Sequence, residues 1–159
     1  MRSQALPLSL IRQSLLVIMV MPACGCGDPA PPAPDLTVRD AWVRAAAVPE
    51  GLTSPVNSAA YLTIENRGNA PDHLLGVRFE GARRVELHES FVDERGIASM
   101  RPVGTVEVPA GGEARLEPGG LHVMLMGLES TLSVGDSIEI VLRFEVSGEK
   151  TVNALARRL

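Results

Sequence analysis

The chain has 159 residues, enough for one domain with a real hydrophobic core and too few for two comfortable ones. Its 15 basic and 19 acidic residues leave a net charge of −4, and the part from Cys24 onward keeps 13 basic against 19 acidic. Nucleic acid is excluded as a natural partner, because a polyanion calls for a basic face and the pairs Arg83-Arg84 and Arg157-Arg158 are isolated.

Residues 1–23 carry Arg2 and Arg12, no acidic residue, and the apolar run Leu15-Leu-Val-Ile-Met-Val-Met21. This is the charge and hydropathy pattern of a secretory signal peptide. Seven apolar residues are too few to cross a hydrocarbon layer, which needs about 20 in a helix. Met21-Pro-Ala-Cys24 resembles a bacterial lipoprotein box, with methionine and proline in place of the usual residues. Two outcomes stay open: acylation of Cys24, which would make a lipid chain the protein's only membrane attachment, or ordinary cleavage nearby. Either way the chain is expected to be exported to the periplasm. Gly27-Asp-Pro-Ala-Pro-Pro-Ala-Pro34 has four prolines in eight residues and no apolar pattern, so residues 24–35 read as a semi-extended spacer. The folded domain is then residues 36–159. Both cysteines, Cys24 and Cys26, lie outside it, so no disulfide can staple the core.

From Leu36 the dominant signal has period two. Ile138, Ile140, Leu142 and Phe144 alternate with Glu139, Val141, Arg143 and Glu145. Further strands are predicted at Leu36 to Arg44, Ala59 to Asn66, His73 to Phe79, Arg84 to Phe91, Ile97 to Arg101, Thr105 to Val108, Glu113 to Leu116, Leu121 to Gly127 and Thr151 to Leu155. Turn formers separate them, among them Asp93-Glu-Arg-Gly96, Glu117-Pro-Gly-Gly120 and Ser147-Gly-Glu149. No stretch shows several capped helical turns. Many short strands with Gly and Pro turns specify an all-β domain, an antiparallel Greek-key β-sandwich or barrel.

Two stretches stand out from ordinary core. In Gly119-Gly-Leu-His-Val-Met-Leu-Met-Gly-Leu128, the alternation puts His122, Met124 and Met126 on one face and Leu121, Val123 and Leu125 on the other. Taken alone, the methionines could be gap-fillers in the core. In the second stretch, His88 and Met100 flank Asp93-Glu-Arg-Gly96. A hairpin centred on Glu94 would set His88 directly opposite Met100. Two imidazoles and two thioethers, from His88, Met100, His122 and Met124, form a soft, neutral donor set that suits copper(I). Zinc uses Cys, His and carboxylates instead, and a blue-copper centre requires a thiolate that this domain lacks. Glu86 and Glu89, beside His88, read first as solvated strand residues, with a carboxylate that orients the imidazole as the open alternative; His73 reads as a surface histidine, Met126 and Trp42 as packing. No nucleophile elbow, phosphate loop or His-Glu-x-x-His is present, so an enzyme is not expected.

At these residues the sequence resembles the periplasmic copper chaperone family PCu(A)C. Ten residues separate Glu89 from Met100, and twenty-one separate Met100 from His122-Val-Met124, which is the family spacing. The phrases Met100-Arg-Pro-Val103 and Val108-Pro-Ala-Gly-Gly112 are similar as well. Glu89 stands where the family often has methionine, and the end of the chain, Thr151 to Leu159, has none of the histidines and methionines that some members carry there. The resemblance implies a cupredoxin-like fold and copper(I) held by His88, Met100, His122 and Met124. It also implies an acceptor: the copper-bearing subunit of cytochrome c oxidase, a thiol-containing assembly factor, or both. General copper storage or tolerance, or a surface-binding sandwich without metal, are the alternatives.

Overall fold

A computed structural model describes residues 32–51 and 54–159. The signal-peptide and Cys24 readings fall outside the described residues. No helix among the described residues is long and apolar enough to cross a membrane. The elements are all strands: β1 Leu36–Arg44, β2 Ser58–Asn66, β3 Asp72–Arg78, β4 Ala82–Val92, β5 Ala98–Pro102, β6 Val106–Val108, β7 Glu113–Leu116, β8 Leu121–Leu128, β9 Ser137–Phe144 and β10 Glu149–Arg157. Each coincides with an expected strand to within a few residues.

Hydrogen bonding follows one path, β5-β4-β8-β2-β1-β10-β9-β3-β6, with β7 also paired to β2. Residues from both ends of this path share one apolar core, so the sheet folds over on itself as a sandwich. Val43, Ile64, Val123 and Leu125 come from one layer, Leu74, Ile140 and Leu142 from the other, and all are fully buried. Burial of each such side chain stabilises the fold by about 1.5–3 kcal/mol, which is how a domain without disulfides holds together. Every pairing is antiparallel except that of β1 with β10, where Trp42, Val43 and Arg44 run alongside Leu155, Ala156 and Arg157. That parallel seam joins the two layers.

Two irregularities position the outer face. In β1 the register against β2 jumps between Arg39 and Trp42, and Asp40 takes a positive φ of 54°. The extra residue reverses the in-out parity. Arg39 and Trp42 therefore both lie on the outer face, opposite Thr63 and Tyr61, while Val43 turns inward against Ala60. The second irregularity is the Glu117–Leu121 turn, closed by Glu117 N–H on the Leu121 carbonyl at 2.7 Å, with Gly119 at φ 85°. This turn does not reverse the chain. β7 and β8 both run along β2, Leu116 beside Leu62 and Val123 beside Ala60, so residues 117–121 are looped out of a continuing run. A side chain with a Cβ at Gly119 would strain the loop by about 1 kcal/mol or more.

Candidate metal centre

The register of β4 against β8 sets His88 directly opposite His122, with Glu86 opposite Met124 and Arg84 opposite Met126. The two imidazole centroids lie 5.9 Å apart with the rings at 60°. On the inner side of the same strands, Leu87, Val123 and Leu125 enter the core. The alternation expected from the sequence therefore holds, and the two methionines of β8 lie on the outer, half-buried side.

The β4–β5 hairpin departs from the expected register. It centres on Arg95 instead of Glu94, so His88 faces Pro102, and Met100 faces Ser90. The cause is Asp93. Its Oδ1 accepts the N–H groups of Arg95 and Ile97, both at 2.9 Å, and its own N–H donates to the Ile97 carbonyl. Gly96, at φ 78°, closes the turn. The Ile97 N–H foremost, and then the Arg95 guanidinium on Oδ2 at 2.9 Å, hold the Asp93 carboxyl below its ordinary range despite some desolvation. Moving the centre by one residue shifts the register by two, which preserves the face. Met100 thus stays on the side of His88 but sits two residue pairs nearer the hairpin tip, diagonal to the histidine, and is 54% exposed. The structure pairs His88 with His122 directly, sets Met124 next along β8 from His122, and leaves Met100 at the open margin.

Each histidine has one nitrogen engaged and the other free. His122 is buried, and its Nδ1 is 3.1 Å from the Gly120 carbonyl, which also accepts the Ser90 N–H. Its Nε2 is thereby left with the lone pair. His88 pairs its Nε2 with Glu86 Oε2 at 2.9 Å, and its Nδ1 is buried with no hydrogen-bond partner. An unsatisfied buried nitrogen costs about 1–3 kcal/mol, a penalty that a ligand at that position would relieve. Among the described residues no three His, Cys, Asp or Glu side chains converge as a hard-ligand cage. Sulfur is the further donor type at hand, since the domain's three methionines, Met100, Met124 and Met126, all lie on this face. The donor chemistry fits a soft monovalent cation.

Tyr61 walls the site on the side away from β4. Its ring centroid is 6.4 Å from that of His122 and 4.4 Å from that of Trp42, so an aromatic row crosses the outer face from β1 to β8. Burial pushes the Tyr61 hydroxyl above its ordinary pKa, with Arg44 pulling partly against it. Of the two readings of Glu86 the structure favours the one that orients the imidazole: its Oε2 meets His88, and its Oε1 takes Arg84 Nε at 3.0 Å. The clue was its place two residues before His88 on the same face. Nothing in the sequence pointed to Tyr61, because its alignment with Trp42 depends on the β1 bulge. His73 pairs with Glu145 on the far layer, away from this site.

A family model described as LpqE-like matches residues 36–156. The chain belongs to the LpqE-like family. A curated relative, "Putative lipoprotein Lxx21020" of Leifsonia xyli subsp. xyli, is 31% identical over 85% of this chain and 82% of its own length. Among solved structures, this LpqE-like chain is similar to the copper-bound PCuAC domain from PmoF2, with 27% identity, TM-score 0.61, and coverage of 78% of this chain and 93% of that one. It is also similar to the copper(I) form of DR1885 from Deinococcus radiodurans, at 32% identity and TM-score 0.54 over 76% of this chain and 78% of that one. The LpqE-like fold is thus that of the PCuAC domains, a cupredoxin-like β-sandwich.

Proposed function

We propose that this chain is an exported copper(I) carrier that binds the ion between His88, His122, Met124 and Met100 and gives it up by ligand exchange. The observation that carries this reading is the cross-strand histidine pair with one uncommitted nitrogen on each ring, flanked on the same face by the domain's only thioethers. The likeness to copper-bound PCuAC structures supports it. A carrier must let an incoming ligand reach the metal before the outgoing ones have all left. Met100, exposed on the margin, offers such a point of exchange, whereas His122 in the sheet interior is a fixed anchor.

The acceptor we infer is the copper-bearing subunit of cytochrome c oxidase, directly or through a thiol-containing assembly factor. Mixing copper(I)-loaded protein with the soluble copper domain of that subunit tests this step. Transfer within minutes supports it; retention of copper by the carrier with an intact, reduced acceptor defeats it and leaves storage. No catalytic turnover is part of this reading.

The family's lipoprotein relative supports a lipid anchor at Cys24, with the domain held on the periplasmic side. Cells fed a radiolabelled fatty acid should label the mature protein, and Cys24→Ser should abolish the label. A second check uses Trp42, the sole tryptophan. Stacked on Tyr61, which abuts His122, it should lose emission as copper(I) is added and level off at one equivalent. In His122→Ala, which lacks the ring that abuts Tyr61, the loss of emission should be smaller.

A further inference from the structure

We infer that Glu86 is a positioning residue that commits His88 to bind copper(I) through Nδ1, whereas His122 binds through Nε2. The inference rests on the carrier reading and names an atom-level arrangement within it.

A neutral imidazole has one N–H and one lone pair, and whichever nitrogen faces a carboxylate keeps the proton. For His88 that nitrogen is Nε2, 2.9 Å from Glu86 Oε2. The carboxylate is itself clamped, because Arg84 Nε holds Oε1 at 3.0 Å while Arg84 Nη2 reaches Met126 Sδ at 3.8 Å. Glu86 therefore cannot swing away without breaking a second contact. The register places it opposite Met124, between the first histidine and the β8 thioether. The ring it holds is mostly covered, with 12% of the His88 side chain exposed. A histidine serving only an ion pair would have its second nitrogen in water or on a carbonyl. Here that nitrogen is buried and unpaired.

His122 has the opposite arrangement. Its Nδ1 is taken by the Gly120 carbonyl, in the looped-out turn just before β8, and that carbonyl is fixed by the Ser90 N–H of β4 at 3.0 Å. The two lone pairs available to a shared ion are thus Nδ1 from one ring and Nε2 from the other. Such outer partners set the tautomer and rotation of metal-binding histidines, and their loss costs about 10- to 100-fold in metal affinity.

The test uses the nitrogen-15-labelled domain, residues 36–159, with its spacer carrying Cys24→Ser and Cys26→Ser so that no thiol competes for copper(I), and long-range proton–nitrogen spectra. Without metal, the lone-pair nitrogen should be Nδ1 in His88 and Nε2 in His122. One equivalent of copper(I), added anaerobically as its acetonitrile complex, should shift those two nitrogens and leave the N–H nitrogens in place. Glu86→Gln, whose amide oxygen can still accept the Nε2 proton, should keep the tautomer and most of the affinity. Glu86→Leu should mix the His88 tautomers and weaken copper(I) binding about 10- to 100-fold against a chelator. A proton on His88 Nδ1 in the metal-free protein, copper held by His88 Nε2, or a Glu86→Leu variant that folds and binds as the parent does would each overturn the assignment. Copper bound through the other nitrogen would leave the carrier reading standing. A parent protein that takes up no copper(I) would end both.

Discussion

His122→Ala should weaken copper(I) binding by at least about 100-fold, or about 2.8 kcal/mol at a factor of ten per 1.4 kcal/mol. The size of the effect follows from the degree of preparation. His122 is buried, its ring is fixed by the Gly120 carbonyl, and it faces His88 directly, so it donates to a metal with little ordering to be done on binding. Met124→Leu, on the same central strand, keeps the volume and removes the sulfur, and should lose roughly tenfold or more. Met100→Leu should lose less than Met124→Leu, because Met100 is more than half exposed on a five-residue strand and must be ordered when it binds. Anaerobic competition with a calibrated copper(I) chelator measures all three. Unchanged affinity in the His122 and Met100 variants together would dismiss this site.

Asp72→Ala should destabilise the domain by about 3 kcal/mol, since its carboxylate accepts three backbone hydrogen bonds and charged acceptors are worth about 1.5–3 kcal/mol each before partial compensation by water. Asp72 is fully buried at the start of β3. Its Oδ1 accepts the N–H groups of His73 at 2.7 Å and Val146 at 2.9 Å, and its Oδ2 accepts that of Ser147 at 2.8 Å. It thereby fastens the β9–β10 turn to β3. Burial pushes this carboxyl upward, but the hydrogen bonds from Ser147, Val146 and His73 together outweigh that and hold it below its ordinary range. A depressed folded-state pKa contributes stability that is present above the ordinary aspartate value of 3.8 and lost as pH falls through the folded value. Thermal melts should place the alanine variant about 10 °C below the parent at neutral pH. The gap should narrow in strong acid, and a pH-independent gap would refute the account.

Much of this arrangement was legible in the residues themselves. Period-two alternation located all ten strands and put His122, Met124 and Met126 on one face, because burial of one side of a strand imposes that period regardless of the partner strand. The family-like spacing from His88 to Met124 put these residues forward as the proposed donor set. Long-range or side-chain-determined features were not legible. The centre of the β4–β5 hairpin depends on which backbone groups Asp93 captures, and a shift of one residue there separated Met100 from its expected partner. The bulge at Asp40 left no mark in composition, yet it brought Trp42 and Tyr61 together. The parallel seam between β1 and β10 joins opposite ends of the domain, and no local pattern could announce it.

Pro102, the residue opposite His88, has one further effect. β5 is the last strand at its end of the sheet, a place where unpaired amides invite another chain to add on. The Val103 N–H donates to the Leu87 carbonyl, which sets the neighbouring Pro102 nitrogen facing away from β4, where an ordinary residue would offer a free donor and proline offers none. Pro102 therefore removes one donor from the border strand on which Met100 is exposed, which makes that edge a poorer template for strand addition.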